Sequence, residues 1–198
     1  MTSSLLRFEP AGPPTAALVA GLLVVAFPDA HTALDLTPGR GCFFREDVPI
    51  HVTVTSSRAD FRELPDADAS YEVVLFDPPH VADAGAQSIM GARFGTYRTL
   101  AALEAAVRQG AREAWRVARV GVVVKVTDAM HASRFVRMSG WIYAELGEPY
   151  DVVHQVRARP LVDPRWRQPQ LSARNNGSTY LIFRKDGPEH RRRHSKEA

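Results

Sequence analysis

At 198 residues, 45% hydrophobic and 24% charged with 13 Gly and 14 Pro, the chain is sized for one domain with a real core, which excludes collagen-like, coiled-coil and largely disordered classes. Its single cysteine, Cys42, excludes an internal disulfide framework and zinc sites built on paired cysteines; no metal site is expected, and a reducing cytoplasm is the expected compartment. The net charge of +3 is unevenly spread: residues 1–156 carry 14 Lys/Arg against 18 Asp/Glu, whereas residues 157–198 carry 11 against 4.

In chain order, residues 15–27 read as a helix opened by Pro and Thr. The apolar run 16–27 is shorter than the roughly 20 residues of a membrane-spanning helix, and it follows Glu9 and Pro13-Pro14 rather than positive charge. Neither a membrane contact nor a signal peptide is therefore expected. Residues 33–36 and 51–55 read as short strands, and 71–76 (YEVVLF) as a continuous apolar strand. From 97 to 119, Leu100, Leu103, Val107, Ala111, Ala114, Trp115 and Ala118 recur at three- and four-residue spacing on one helix face. Residues 121–126 (GVVVKV) form a further buried-type strand, 133–144 a helix, and 151–156 and 178–184 two last strands. Alternation of strand and helix predicts an α/β class with a parallel sheet. Residues 157–177, rich in Pro and Arg, are long for a plain connection. Residues 186–198, with Arg191-Arg192-Arg193, read as a disordered basic tail beyond a single domain at 1–185.

Two motifs carry chemistry. In the first, strand 33–36 ends on Asp35 and runs through Thr37-Pro38 into Gly39 and Gly41. Glycines two apart let the backbone turn sharply and let a ligand approach where a Cβ would collide, although many such turns bind nothing. The third glycine of a dinucleotide fingerprint is missing, which argues against NAD. In the second, strand 71–76 runs into Asp77-Pro78-Pro79-His80. A carboxylate at the carboxyl end of a buried strand sits where open α/β sheets bind ligands. Proline lacks an N–H, so the turn leaves carbonyl oxygens free to accept. One carboxylate and one carbonyl can hold the two hydrogens of an amino group.

Together the segments DLTPGRGCF (35–43), ADFRELP (59–65), VVLFDPPH (73–80), VVVKVTD (122–128) and SARNNGSTYLIFRK (172–185) resemble the class I S-adenosylmethionine-dependent methyltransferases. More narrowly, they are similar to bacterial and phage DNA-methylase-like proteins with a D-P-P-aromatic type motif. The resemblance spans residues 30–185. It implies a Rossmann-like class I methyltransferase fold, mostly parallel with an antiparallel C-terminal strand, and S-adenosyl-L-methionine as cofactor. The implied reaction is methyl transfer to the N6 of adenine or N4 of cytosine on a flipped base, with DNA or else RNA as partner.

By the same resemblance Asp35, Thr37, Gly39 and Gly41 line the methionine end of the cofactor. Asp60 lies near its adenine amino group, and Phe61 flanks that ring. Asp77 and the Pro78 carbonyl grip the target amino group, Pro79 completes the turn, and His80 takes the place of the stacking aromatic. Two departures stand out: His80 replaces the usual Tyr, Phe or Trp, and Thr55-Ser56-Ser57 offers hydroxyls where relatives place a ribose-binding acid, so Glu46 or Asp47 would have to substitute. The stretch 42–77 is compact enough that one sheet element is expected to be degenerate.

Arg165, Trp166, Arg167 and Arg174 in the late loop combine cations with an indole, a composition for phosphate contact and base stacking, or equally for a solvated loop. Residues 80–97, with Gly85, Gly91 and Gly95, read as a flap or a plain surface loop. Lys125 reads as structural at a strand end, and Cys42 as a packing residue. RNA or protein-glutamine N-methylation, or a nucleic-acid-binding protein that keeps the fold without turnover, are the alternatives.

Overall fold

The structure, a computed structural model, describes residues 15–39, 43, 52–82, 97–131, 134–156 and 177–185. Helix α1 (Thr15–Ala26) leads into strands β1 (Thr32–Asp35), β2 (Thr53–Ser56) and β3 (Tyr71–Phe76). Helix α2 (Leu100–Val117) and β4 (Ala118–Val126) follow, then a small antiparallel ribbon of β5 (Ala129–His131) and β6 (Arg134–Val136). Helix α3 (Met138–Leu146), β7 (Asp151–Val156) and β8 (Gly177–Arg184) complete the chain.

The main sheet runs β2-β1-β3-β4-β8-β7. The first four strands are parallel, β8 is antiparallel to β4, and β7 is antiparallel to β8. One antiparallel strand therefore sits in an otherwise parallel sheet, as expected. Residues 57–70, between β2 and β3, form turns and bends with no strand, which accounts for the compact stretch noted above.

Period-two alternation sorts each strand onto two faces. Leu34, Leu36, Val74, Phe76, Val122, Val124 and Leu181 face one core, with Leu103, Val107 and Ala111 of α2 and Ile142 of α3. Ala33, Val73, Leu75, Val123, Tyr180 and Ile182 face the other, with Val19, Leu23 and Ala26 of α1. Helix α2 starts at Thr99, whose Oγ1 accepts from the Ala102 N–H at 3.1 Å. Among the described residues no helix is long and apolar enough to cross a membrane.

Three sequence expectations need correction. The helix expected over 133–144 begins only at Met138; Arg134–Val136 pairs instead with Ala129–His131, the β-favouring Phe135-Val136 having been absorbed into a helical spacing. Ala118, expected on the helix face, already belongs to β4 and pairs with Tyr71. Helix α2 therefore spans Leu100–Val117 rather than 97–119.

Candidate functional site

The sheet order reverses at β1, since the chain moves from β1 outward to β2 and then returns to place β3 on the other side of β1. At such a switch point, loops leaving the carboxyl ends of the two strands diverge and open a crevice, the ligand site of open α/β sheets. Both sequence motifs end there: Asp35 closes β1, and Asp77-Pro78-Pro79-His80 follows β3.

Register carries this further. Asp35 lies beside Leu75, and Leu75 beside Val123. Asp77 and Lys125 are two residues beyond Leu75 and Val123, so they share the α1 side of the sheet with Asp35. Three charged groups thus end three neighbouring parallel strands on one face. Their contacts knit the crevice: the Thr37 N–H donates to Asp35 Oδ1 at 3.2 Å, the Asp77 N–H donates to Thr37 Oγ1 at 2.7 Å, and Lys125 Nζ donates to Asp77 Oδ2 at 2.6 Å. The side chains of Lys125 and Asp77 retain 13% and 23% of their exposure. Lys125 Nζ also stands 5.5 Å from the ring centroid of Phe43, a cation–π distance.

Asp35 is 1% exposed. Burial pushes its carboxyl from 3.8 up to about 6; the Thr37 N–H works in the opposite direction, and the negative charge of Asp77 adds to the rise. Gly39 takes φ 50°, a left-handed backbone that explains glycine at this point of the loop.

The two prolines carry the chain across the top of the sheet to the α2 side, where His80 lines a cavity of about 180 Å³ with Ala82, Met130, His131, Met138 and Trp141. Burial lowers the imidazole of His80 below its ordinary range; Asp77 opposes this and Lys125 reinforces it. The neutral ring is therefore favoured near pH 7.

The remaining sequence candidates lie on the loop after β2 or outside the described residues. Asp60 is at the surface, ion-paired with Arg62 at 2.6 Å, and that bond holds its carboxyl down at about 2. Phe61 packs on Phe76 with ring centroids 5.6 Å apart. Thr55-Ser56-Ser57 closes β2 with no acid, as read from the sequence. Gly41, Cys42, Glu46, Asp47, Gly85, Gly91, Gly95, Arg165, Trp166, Arg167 and Arg174 lie outside the described residues. Val156 pairs with Gly177, and Thr179 with Val126, so β7 ends and β8 begins at the site end of the sheet. Lys125, read from the sequence as structural at a strand end, meets Asp77 across the β3–β4 pairing.

The strand order, the switch-point crevice and the single antiparallel strand define an open, mostly parallel Rossmann-like α/β fold. No protein-family model and no curated protein matches the chain. Among solved structures it is similar to the PH0226 protein of Pyrococcus horikoshii, at 18% identity and TM-score 0.35 over 55% of this chain and 51% of that one. It is also similar to a putative methyltransferase from an antibiotic biosynthesis pathway of Anabaena variabilis, at 13% and 0.40 over 72% and 66%. A third likeness is to a SAM-dependent methyltransferase of Thermotoga maritima, described as a possible histamine N-methyltransferase, at 12% and 0.41 over 87% and 90%. The chain thus spans about half the length of the first of these.

Proposed function

We propose that this protein is an S-adenosylmethionine-dependent methyltransferase that modifies an exocyclic amino nitrogen of a base in DNA. The observation that carries the reading is the hydrogen bond from the Asp77 N–H to Thr37 Oγ1, which brings the Asp35 loop and the Asp-Pro-Pro turn together across the switch-point crevice. The residues fit the cofactor. Asp35 is a buried carboxylate with no cation paired to it among the described residues, which suits a positively charged ligand, and Gly39 keeps the loop free of a Cβ where that ligand would pass. Asp35, Thr37 and Gly39 would hold it.

When bound, S-adenosylmethionine supplies a methyl group already activated on a sulfonium, so no strong base is needed before attack. The chain's own task is then orientation and exclusion of water. The Asp77 carboxylate and the Pro78 carbonyl accept the two amino hydrogens, which localises the nitrogen lone pair. As the nitrogen–carbon bond forms, the sulfur–methyl bond would break and the sulfur leave as a neutral thioether; the nitrogen is then cationic and sheds a proton, for which Asp77 is the adjacent acceptor. His80 and the cavity it lines offer a largely apolar berth of about 180 Å³, well below the roughly 300–1,000 Å³ of drug-sized pockets. The sequence resemblance and the excess of positive charge in residues 157–198 support a nucleic acid, and DNA first, as the acceptor.

Calorimetry with S-adenosylmethionine and with NAD tests the cofactor, and saturable binding of NAD alone would end the reading. Labelled methyl transfer onto duplex DNA, tRNA or protein then tests the acceptor. Asp77→Ala is expected to abolish incorporation while leaving cofactor affinity within a few-fold; undiminished transfer by that variant would remove Asp77 from the mechanism. Salt-sensitive DNA binding without any transfer would identify a binding protein on the same fold.

A further inference from the structure

The Asp77–Lys125 pair changes what the acceptor clamp can offer. Asp77 is tied at its backbone by Thr37 Oγ1 and at its side chain by Lys125 Nζ. With Oδ2 engaged, Oδ1 is the carboxylate oxygen that no hydrogen bond occupies among the described residues. Building on the amino-methylation reading above, we propose that Lys125 is a positioning residue: its ammonium holds Asp77 by Oδ2 and so presents Oδ1 to the acceptor's amino group.

Three observations carry this. First, the pair is half-buried at the crevice, where withdrawing two charges from water costs free energy that an apolar pair would not, and Val123, Tyr180 and Ile182 already pack that face. Second, Asp35 and Asp77 are like charges at the ends of adjacent strands, and Lys125 supplies the opposing charge from the next strand. Third, the ammonium is held from two sides, by Asp77 and by the face of Phe43, so the carboxylate it grips is not free to turn. Orientation of this kind is what a reaction with a pre-activated methyl donor requires from the protein.

Among the described residues, the charged and titratable groups that face Lys125 are Asp77 and His80 after β3 and Tyr180, its register partner on β8, whose hydroxyl donates to Gln155, while Asp35 on β1 acts on Asp77. Lys125→Met removes the holder while keeping an unbranched side chain. Its kcat is expected to fall about 10²-fold, with the S-adenosylmethionine dissociation constant little changed, and Lys125→Arg is expected to recover most of the rate. An independent readout needs no turnover: in the cofactor-free protein the His80 imidazole, followed by NMR, should titrate at higher pH in Lys125→Met, because a cation that lowers it is gone, and return toward wild type in Lys125→Arg. Should Lys125→Met fail to fold, Lys125→Gln keeps a hydrogen-bond donor without the charge and serves the same comparison. An unchanged kcat in the neutral variants, or an unmoved His80 titration, overturns the proposal while methyl transfer by the wild type stands. A wild type that transfers no methyl group overturns the functional reading and this one with it.

Discussion

Asp35 has the most to lose from its position. A carboxyl that titrates near 3.8 in an unfolded chain and at about 6 in the folded one binds more protons when folded throughout that window. Stability therefore falls as pH rises through it: the favourable contribution is full below about 3.8 and gone above about 6. The difference corresponds to about 3 kcal/mol. Asp35→Asn removes the cost of holding the buried charge. In urea unfolding at pH 7 to 8 it is expected to be more stable than wild type by up to about 3 kcal/mol, the gap narrowing toward pH 4, while S-adenosylmethionine binding weakens. Equal stability of the two proteins at both pH values would mean that Asp35 is solvated. The same residue shows how far the sequence reaches. An acid at the end of an apolar strand is plain to see, and so is Asp-Pro-Pro after the next one, but Lys125 touches Asp77 only because β3 and β4 pair in one register out of several. A pairing across 48 residues leaves no local trace.

Among the elements, the long helix and the central strands were legible because each buries a face with a single period: Leu103, Val107, Ala111 and Ala114 on α2, and the unbroken run Val73 to Phe76 on β3. The ribbon after β4 was not, since Phe135, Met138, Trp141 and Ile142 sit three, three and one apart and satisfy helical spacing although the first of them is in a strand. How closely α2 approaches the sheet was equally hidden. A Cβ at Gly110 would come within 2.5 Å of Phe61 Cδ2 and 2.6 Å of Phe76 Cζ, and Phe76 is the last strand residue before Asp77. Gly110→Ala gains about 1 kcal/mol of helix propensity, but it must push apart a pair of rings in a closed core, at about 1–3 kcal/mol or more. A net loss of stability by denaturant midpoint is expected, together with reduced methyl transfer as the end of β3 shifts. A variant as stable and as active as wild type would show that Phe61 swings clear at little cost. Phe61, read from the sequence as flanking a cofactor ring, is held in the structure between that glycine and Phe76.

For the whole molecule, the proposed nucleic-acid acceptor raises a question of charge, since a crevice bearing Asp35 and Asp77 repels a polyanion. Lys125 balances one of these charges, and residues 1–156 are net negative, so attraction has to come from elsewhere. Topology supplies the place. Strand β7 ends and β8 begins at the carboxyl ends of the parallel strands, and the sequence between them carries Arg165, Arg167 and Arg174 in a segment net positive to the end of the chain. Cations placed there would add affinity for phosphates through counterion release without reading sequence. Replacing Arg165 and Arg167 together by Ala is expected to weaken duplex binding similarly on unrelated sequences. The log–log dependence of affinity on salt should flatten by about 0.9 for each phosphate that is no longer neutralised, as read by fluorescence anisotropy across a salt series. Asp77→Ala, which removes no cation, should leave that slope unchanged. If the double arginine variant keeps the wild-type slope, the positive segment is a solvated one, and the acceptor is to be sought among protein amides or smaller amines that bring no phosphate backbone.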